Sequence, residues 1–333
     1  MQMSKYDHSV FYRMHPTVFI LVYVDDGLIL AEDESEIMKI MSQLQEQFKT
    51  RELEVHTYRG LEISMQSDGI FVHQKRYATK VLNAFNIENA KESNNPAISL
   101  GNEHMKPLNP NIPFRQVAGS LAYLADSTRP DIAYSVNQLN QSSSKPTEAA
   151  WIRAKQVLRY LKGTLNYGIK FHRESKSNVL IGYSDSDYAG SIDTAKSTTG
   201  YVIMFNDAPF HWKTQLQRHV TLSSTEAEVI ALCTLTKELS WIRRMMLELK
   251  IIDDKPATLY CDNQSALKIV QSERATARTR HIRAQDGYVR EQIEQKELIL
   301  NFVPSTEQRA DLLTKIVQTG KFTINRDMLL TSS

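Results

Sequence analysis

The stretch Val179-Leu-Ile-Gly-Tyr-Ser-Asp-Ser-Asp187 decides how the chain is read. Its apolar and aromatic run ending in an acid predicts a strand over Val179–Asp185 that delivers a carboxylate to a sheet edge. Two further strand candidates, Gly200–Phe205 and Phe210–Thr214, come directly after it. A helix is then expected to open at Ser223-Ser-Thr225, and a second to run through Trp241–Leu249. The strand Thr258–Cys261 leads into a helix after Asp262-Asn263, and a basic helical segment covers residues 279–295. Leu298–Val303 reads as a last strand and Glu307–Lys315 as a last helix. Three strands followed by alternating helices and strands predict an α/β fold, a mixed sheet with helices on its faces.

Upstream of residue 165 the rhythm differs and reads as α+β. Val18–Val24 and Leu28–Leu30 form a hairpin around an acidic turn, with Asp26-Gly27 as the turn residues. Ile37, Ile40, Met41, Leu44 and Phe48 recur at helical spacing. Leu61, Ile63 and Met65 alternate as in a strand, and Ile70-Phe-Val72 returns after Ser67-Asp-Gly69. Four prolines among asparagines make 93–113 read as a linker or a surface excursion. A helix then starts at Thr147-Glu148, buries Trp151, Ala154, Val157, Leu158 and Leu161, and stops at Lys162-Gly163.

The chain has 333 residues, 41% of them apolar and 23% charged, which fits an ordinary globular protein of about two domains. A net charge of +2 neither demands nor excludes nucleic acid, so any basic surface must be local. No apolar run of about 18 residues marks a membrane span, and the first residues lack the apolar core of a signal peptide. Cys233 and Cys261 lack metal-ligand spacing and read as buried thiols of a reducing compartment.

Four acids fall where converging carboxylates would be expected. Asp185 ends the first strand, Glu228 lies in the first turns of the helix opened by Ser223, Asp262 ends a later strand, and Asp311 sits in the last helix. Magnesium prefers several hard oxygen ligands, and in open α/β sheets sites gather at the carboxyl ends of strands. Each acid also has a purely structural reading. Thr225–Glu228 is a capping box, Asp262-Asn263 caps a helix, Asp311 is a solvated helical face and Asp185 a turn residue. Spacing alone leaves both readings open.

Several longer strings resemble copia-type LTR retrotransposon Pol polyproteins. Tyr23-Val-Asp-Asp26 is similar to the catalytic hairpin of a reverse transcriptase. Gly119–Tyr123, Thr128-Arg-Pro-Asp-Ile-Ala-Tyr134 and Leu158–Gly163 resemble the connection region of such polyproteins. Ser197–Tyr201, Leu222–Glu228, Tyr260–Ala266 and Ala310-Asp-Leu-Leu-Thr-Lys315 resemble their ribonuclease H segment. The resemblance implies a truncated reverse-transcriptase palm over 1–92, a linker and helical connection over 93–164, a ribonuclease H domain over 165–320 and a tail over 321–333. It implies that Asp185, Glu228, Asp262 and Asp311 hold two magnesium ions, or manganese, with Asp185 bridging both. Glu226 and Asp187 are near enough to compete for these roles. The implied partner is an RNA–DNA hybrid, together with the rest of a Pol polyprotein or an intact copy, in a particle-associated cytoplasmic setting.

Nucleic-acid contacts are expected from Ser223, Ser224, Asn263 and Gln264 beside the acids, and from the basic run that includes Arg278, Arg280 and Arg283. His211, Trp212 and His219 read as structural. Only 22 residues precede Tyr23, and Asp7 is their one acid, so Asp25 and Asp26 read as half of a polymerase site and polymerisation by this chain alone is not expected. Arg283, Gln285 and Gly287 depart from the family pattern, and Gly287 within a helix costs about 1 kcal/mol relative to alanine. The rival expectation is a decayed, non-catalytic remnant that at most binds nucleic acid.

Overall fold

The structure is a computed structural model that describes residues 1–51, 57–100, 106–173, 178–191, 194–272 and 283–333, the last segment from residue 286 for side chains. Four strands open the chain: β1 (Gln2–Met3), β2 (Val10–Met14), β3 (Thr17–Tyr23) and β4 (Asp26–Ala31), paired antiparallel in that order. Tyr23 pairs with Asp26, so Val24 and Asp25 form the hairpin turn and Asp26-Gly27 already belongs to β4. Val24 takes the left-handed φ of 54° that this two-residue turn needs. Helix α1 (Glu34–Gln47) follows, capped by Asp33, and none of its residues is buried. Phe48 lies just beyond it and is 61% exposed, contrary to the expected apolar face. Ser4 Oγ ties this sheet to Glu248 Oε2 at 2.7 Å.

Strands β5 (Thr57–Tyr58), β6 (Leu61–Gln66) and β7 (Gly69–His73) begin a second sheet, and α2 (Lys75–Ala84) follows. Three further helices are α3 (Phe114–Ser127), α4 (Ala133–Gln141) and α5 (Glu148–Gly163), the last capped by the Thr147 side chain. Trp151 is only half-buried on α5, whereas Ala154, Val157, Leu158 and Leu161 are fully enclosed. Strand β8 (Tyr167–His172) lies beyond residue 165 yet pairs with β7, so the second sheet reaches across the expected boundary. Arg129 and Asp131 form a bidentate pair at 2.9 and 2.7 Å that is almost fully buried between α3 and α4. Tyr160 donates to Asp131 at 2.6 Å, and Arg129 donates to the Thr164 carbonyl and hydroxyl. Satisfied on every side, this pair locks α3 and α4 to the end of α5.

The third sheet positions the candidate site. It contains β9 (Ile181–Asp187), β10 (Thr198–Phe205), β11 (Ala208–Leu216), β12 (Ala257–Cys261) and β13 (Leu298–Phe302), in the order β11-β10-β9-β12-β13. β9, β10 and β11 are antiparallel neighbours, while β9, β12 and β13 run parallel, giving the mixed sheet expected. Helix α6 (Ser224–Glu248) crosses one face, with α7 (Gln264–Gln271) and α8 (Arg283–Glu294) beside it. The sequence reading divided α6 into two helices; no glycine or proline interrupts Ser224–Glu248, and it runs on as one. Its length brings the site and the Glu248 anchor onto a single rod.

β10 explains how the sheet is covered on both faces. Tyr201 and Ile203 point into a core with Val229, Leu232 and Leu259, while Val202 and Met204 point into the other with Trp212, Leu312 and Leu313. Such a strand reads as an unbroken apolar run. Helices α3, α4 and α5 cover the second face, where Trp212 Nε1 donates to the Ala125 carbonyl at 2.7 Å. Residues 307–315 make no α-helix; Asp311–Leu313 forms a 3-10 turn pressed onto β10. α9 (Thr319–Asp327) and β14 (Thr331–Ser332) end the chain, and β14 pairs with β8, so Leu298–Val303 is not the last strand. No helix among the described residues is long and apolar enough to cross a membrane.

Two glycines set the close approaches. A Cβ on Gly182 would lie 3.0 Å from the Leu235 methyls, which brings α6 down onto β9. A Cβ on Gly200 would lie 2.6 Å from Thr314 Cγ2 and 2.8 Å from Leu313 Cβ. Gly200 also faces Asp185 across the ladder, so its missing side chain lets the 3-10 turn sit against that acid. We expect Gly200→Ala to destabilise the fold by about 1–3 kcal/mol, the usual range for overpacking, in urea unfolding. An unchanged midpoint would show that the turn is not held by this contact.

Candidate active site

Parallel pairing of β9 with β12 places Ser184 opposite Cys261, so Asp185, which lies within β9 rather than at its end, and Asp262, just beyond β12, come side by side. Asp185 is 2% exposed; its Oδ2 accepts from Thr314 Oγ1 and lies 3.4 Å from Lys315 Nζ. Asp262 follows β12, and its Oδ2 accepts from Ser305 Oγ at 2.7 Å. Glu228 enters from the second turn of α6, where its Oε1 accepts from the Ser186 backbone N–H at 3.3 Å. Ligand atoms of Glu228, Cys261 and Asp262 all lie within 4.8 Å of one another. Asp311 comes from the 3-10 turn and is paired by Lys315 at 2.5 Å and by Lys321. Gln308 fixes that turn to β9 by donating to the Ser184 carbonyl at 2.9 Å.

The capping question is settled by geometry. Ser223 caps α6 by accepting from the Glu226 N–H at 3.1 Å, and Glu226 reaches back to the Leu222 N–H at 2.7 Å. The box is therefore Ser223 with Glu226, not Thr225 with Glu228, and Glu228 is left for the cluster. Likewise Asn263, not Asp262, caps α7, accepting from Ala266 N–H at 3.0 Å. Asp187 is half-buried at the end of β9, and burial raises its pKa despite Lys315.

Burial and mutual repulsion shift the acids of the cluster. Burial pushes the Asp185 carboxyl up; Lys315 and Thr314 oppose this, and Asp262 and Asp311 add to it. Burial raises Glu228 well above the carboxylate range, and the charges of Asp185 and Asp262 raise it further. Burial also raises the Cys261 thiol, with Glu228 next in effect. The Lys315 ammonium is penalised by burial, yet Asp185 and Asp311 outweigh that and hold it charged.

The structure brings Asp185, Glu228, Asp262 and Asp311 together and places the other candidates around or away from them. Ser224 and Gln264 are exposed near the cluster, while the side-chain oxygens of Ser223 and Asn263 serve as caps. Asp25 and Asp26 are exposed on the first sheet. Arg278 and Arg280 lie outside the described residues, and Arg283 is described only as the first residue of α8. Lys315, Thr314, Ser305 and the placement of Cys261 were missed. Thr314 and Lys315 stood in the string around Asp311, but a helix there would have turned them elsewhere.

Glu228 should make the fold less stable as pH rises. Its folded-state pKa is raised, so the folded state binds more protons and stability falls above the ordinary carboxylate pKa. We therefore expect Glu228→Gln to raise the urea midpoint at pH 7.5, with the gain shrinking toward pH 4. An equal effect at both pH values would contradict a raised pKa.

Comparison with known proteins gives the wider setting. The reverse transcriptase (RNA-dependent DNA polymerase) family matches residues 1–99. Among solved structures, LC11-RNase H1 aligns over 41% of this chain and 94% of its own, at 18% identity and a TM-score of 0.33. The foamy viral protease-reverse transcriptase in complex with RNA/DNA hybrid aligns over 86% of this chain and 36% of its own, at 12% identity and a TM-score of 0.48. The retrovirus-related Pol polyprotein from transposon TNT 1-94 of Nicotiana tabacum is 33% identical over 324 residues, 94% of this chain and 24% of that protein. Its counterpart from transposon RE2 of Arabidopsis thaliana is 35% identical over 314 residues, 92% of this chain and 21% of that protein. An uncharacterized mitochondrial protein of Arabidopsis thaliana is 35% identical over 227 residues, 67% of this chain and 94% of the relative. The chain spans about a quarter of the length of the Pol polyproteins it matches, and by these identities it belongs to the family of copia-type, retrovirus-related Pol polyproteins.

Proposed function

We propose that residues 165–320 act as a ribonuclease H that hydrolyses the RNA strand of an RNA–DNA hybrid with two divalent cations. The observation that carries this reading is the convergence of Asp185, Glu228, Asp262 and Asp311 from four separate elements at one sheet edge. Carboxylates gathered this closely, with Asp185, Glu228 and Asp311 buried, favour a site that binds cations. The buried hydroxyls of Ser184 and Ser186, next to Asp185, have no hydrogen-bond partner among the described residues. The four carboxylates supply hard oxygens, which suit magnesium and also manganese.

Glu228 and Asp262 would hold one cation, Asp311 the other, and Asp185 both. Bound cations would supply Lewis acidity for the scissile phosphate and for an attacking water. Thr314 and Ser305 fix the Asp185 and Asp262 carboxyl rotamers, and the Ser186 N–H fixes Glu228. The exposed Ser224 and Gln264 would meet the 2′-hydroxyls and backbone of a hybrid, which is recognised mainly by shape. The basic residues Arg278, Arg280 and Arg283 would meet its phosphates. Asp25 and Asp26 take no part in this reaction, and polymerisation by this chain alone is not part of the proposal.

The test is cleavage of an end-labelled RNA–DNA hybrid by the purified chain with magnesium. We expect cutting of the RNA strand, and a loss of more than about a hundredfold in rate for Asp262→Asn with hybrid binding kept, since metal-site contributions are worth several kcal/mol. Equal rates for parent and variant would remove Asp262 from the site. No cutting by folded, metal-saturated parent would instead favour a non-catalytic nucleic-acid binder.

A further inference from the structure

Lys315 Nζ stands between the Asp311 and Asp185 carboxylates, 2.5 Å from the first and 3.4 Å from the second. These are the two acids that, on the reading above, would share one of the divalent cations. Glu228 and Asp262 differ: among the described residues neither has an ion pair with a lysine or arginine. Among the described residues, one half of the cluster is therefore compensated by a lysine and the other half is not.

The acids cannot leave, but the lysine can. The Asp185 and Asp311 side chains are 3% and 4% exposed, against 39% for Lys315. Thr314 is held by Asp185 and by the Asp311 carbonyl, so the backbone of the turn stays in place if the Lys315 side chain swings outward. Lys321 pairs with Asp311 through the other oxygen, from α9, and makes no pair with Asp185. Lys315 thus bridges the two acids, whereas Lys321 only neighbours one.

We propose that Lys315 is a competing counter-cation, which a divalent ion must displace before Asp185 and Asp311 can share that ion. The proposal rests on the carboxylate site described above and adds an order of filling. An ion held by Glu228, Asp262 and Asp185 Oδ1, the oxygen that Lys315 does not pair, enters with Lys315 still in place. The ion shared by Asp185 and Asp311 enters second, and a phosphate of the bound hybrid offers the displaced ammonium a new partner. Second-ion binding and substrate binding are then favourably coupled, each strengthening the other.

The experiment is a manganese titration of the free full-length chain, with unbound ion read by electron paramagnetic resonance. We expect one ion per chain to bind first, and Lys315→Gln to tighten the second by about tenfold or more, the effect of losing a single close charge pair. Lys315→Arg should keep the parent's gap between the two affinities, and Lys321→Gln should narrow it less than Lys315→Gln does. Equal second-ion affinity in parent and Lys315→Gln, with binding still lost in Asp262→Asn, overturns the counter-cation and leaves the carboxylate site standing. No manganese binding by the folded parent overturns both. In the parent itself, saturating manganese should speed acetylation of Lys315 several-fold, read by peptide mass spectrometry, and an unchanged rate would likewise overturn the proposal.

Discussion

Carboxylates that meet in a protein interior oppose the fold that gathers them. Two such charges about 4 Å apart repel by roughly 4 kcal/mol at an effective dielectric of 20, and burial adds to the penalty. In this chain the consequence is visible in Asp185 and Glu228, both pushed toward the protonated form. Much of the carboxyl half can be understood as the framework that holds these groups in place against that cost. The parallel pairing of β9 with β12 fixes two of the acids. Gly182 lets α6 bring in Glu228, and Gly200 lets the 3-10 turn bring in Asp311. Stability given up at such a point is a familiar feature of functional sites.

The framework extends beyond the sheet itself. Because β10 is buried on both faces, helices α3, α4 and α5 complete the far side of the sheet as well as packing among themselves. Leu312 and Leu313, which follow Asp311 on the turn, belong to that shared core. The Thr214 hydroxyl donates to the Leu313 carbonyl at 2.8 Å, and Asn95 donates to the Val317 carbonyl at 2.9 Å. Residues far upstream in sequence thereby support the segment that carries Asp311. β14 closes the same arrangement by pairing with β8.

The strands around the site were legible because each is a short apolar run with a turn or an acid at its end, as in Ile181–Asp187 and Ala257–Cys261. The convergence of the four acids was less legible, since capping and catalysis use the same residue types at helix starts. Only tertiary packing separates Glu226, which reaches the Leu222 N–H, from Glu228, which turns inward. Helical periodicity misled in two places. It divided α6 at no physical break, and it extended a helix through residues 307–315 where the contact with Gly200 selects a tighter turn. That second error hid Thr314 and Lys315, whose roles depend on the turn. Phe48 misled in another way: its spacing was helical, but it lies beyond α1 and its side chain is exposed.

The most direct measurement is anomalous scattering from crystals of the hybrid complex soaked in manganese. The account predicts two ions about 4 Å apart, the spacing of two-metal sites, with Asp185 touching both, Glu228 and Asp262 on one and Asp311 on the other. Manganese bound elsewhere, or a fully hydrated site in which Asp185 touches no ion, would contradict it.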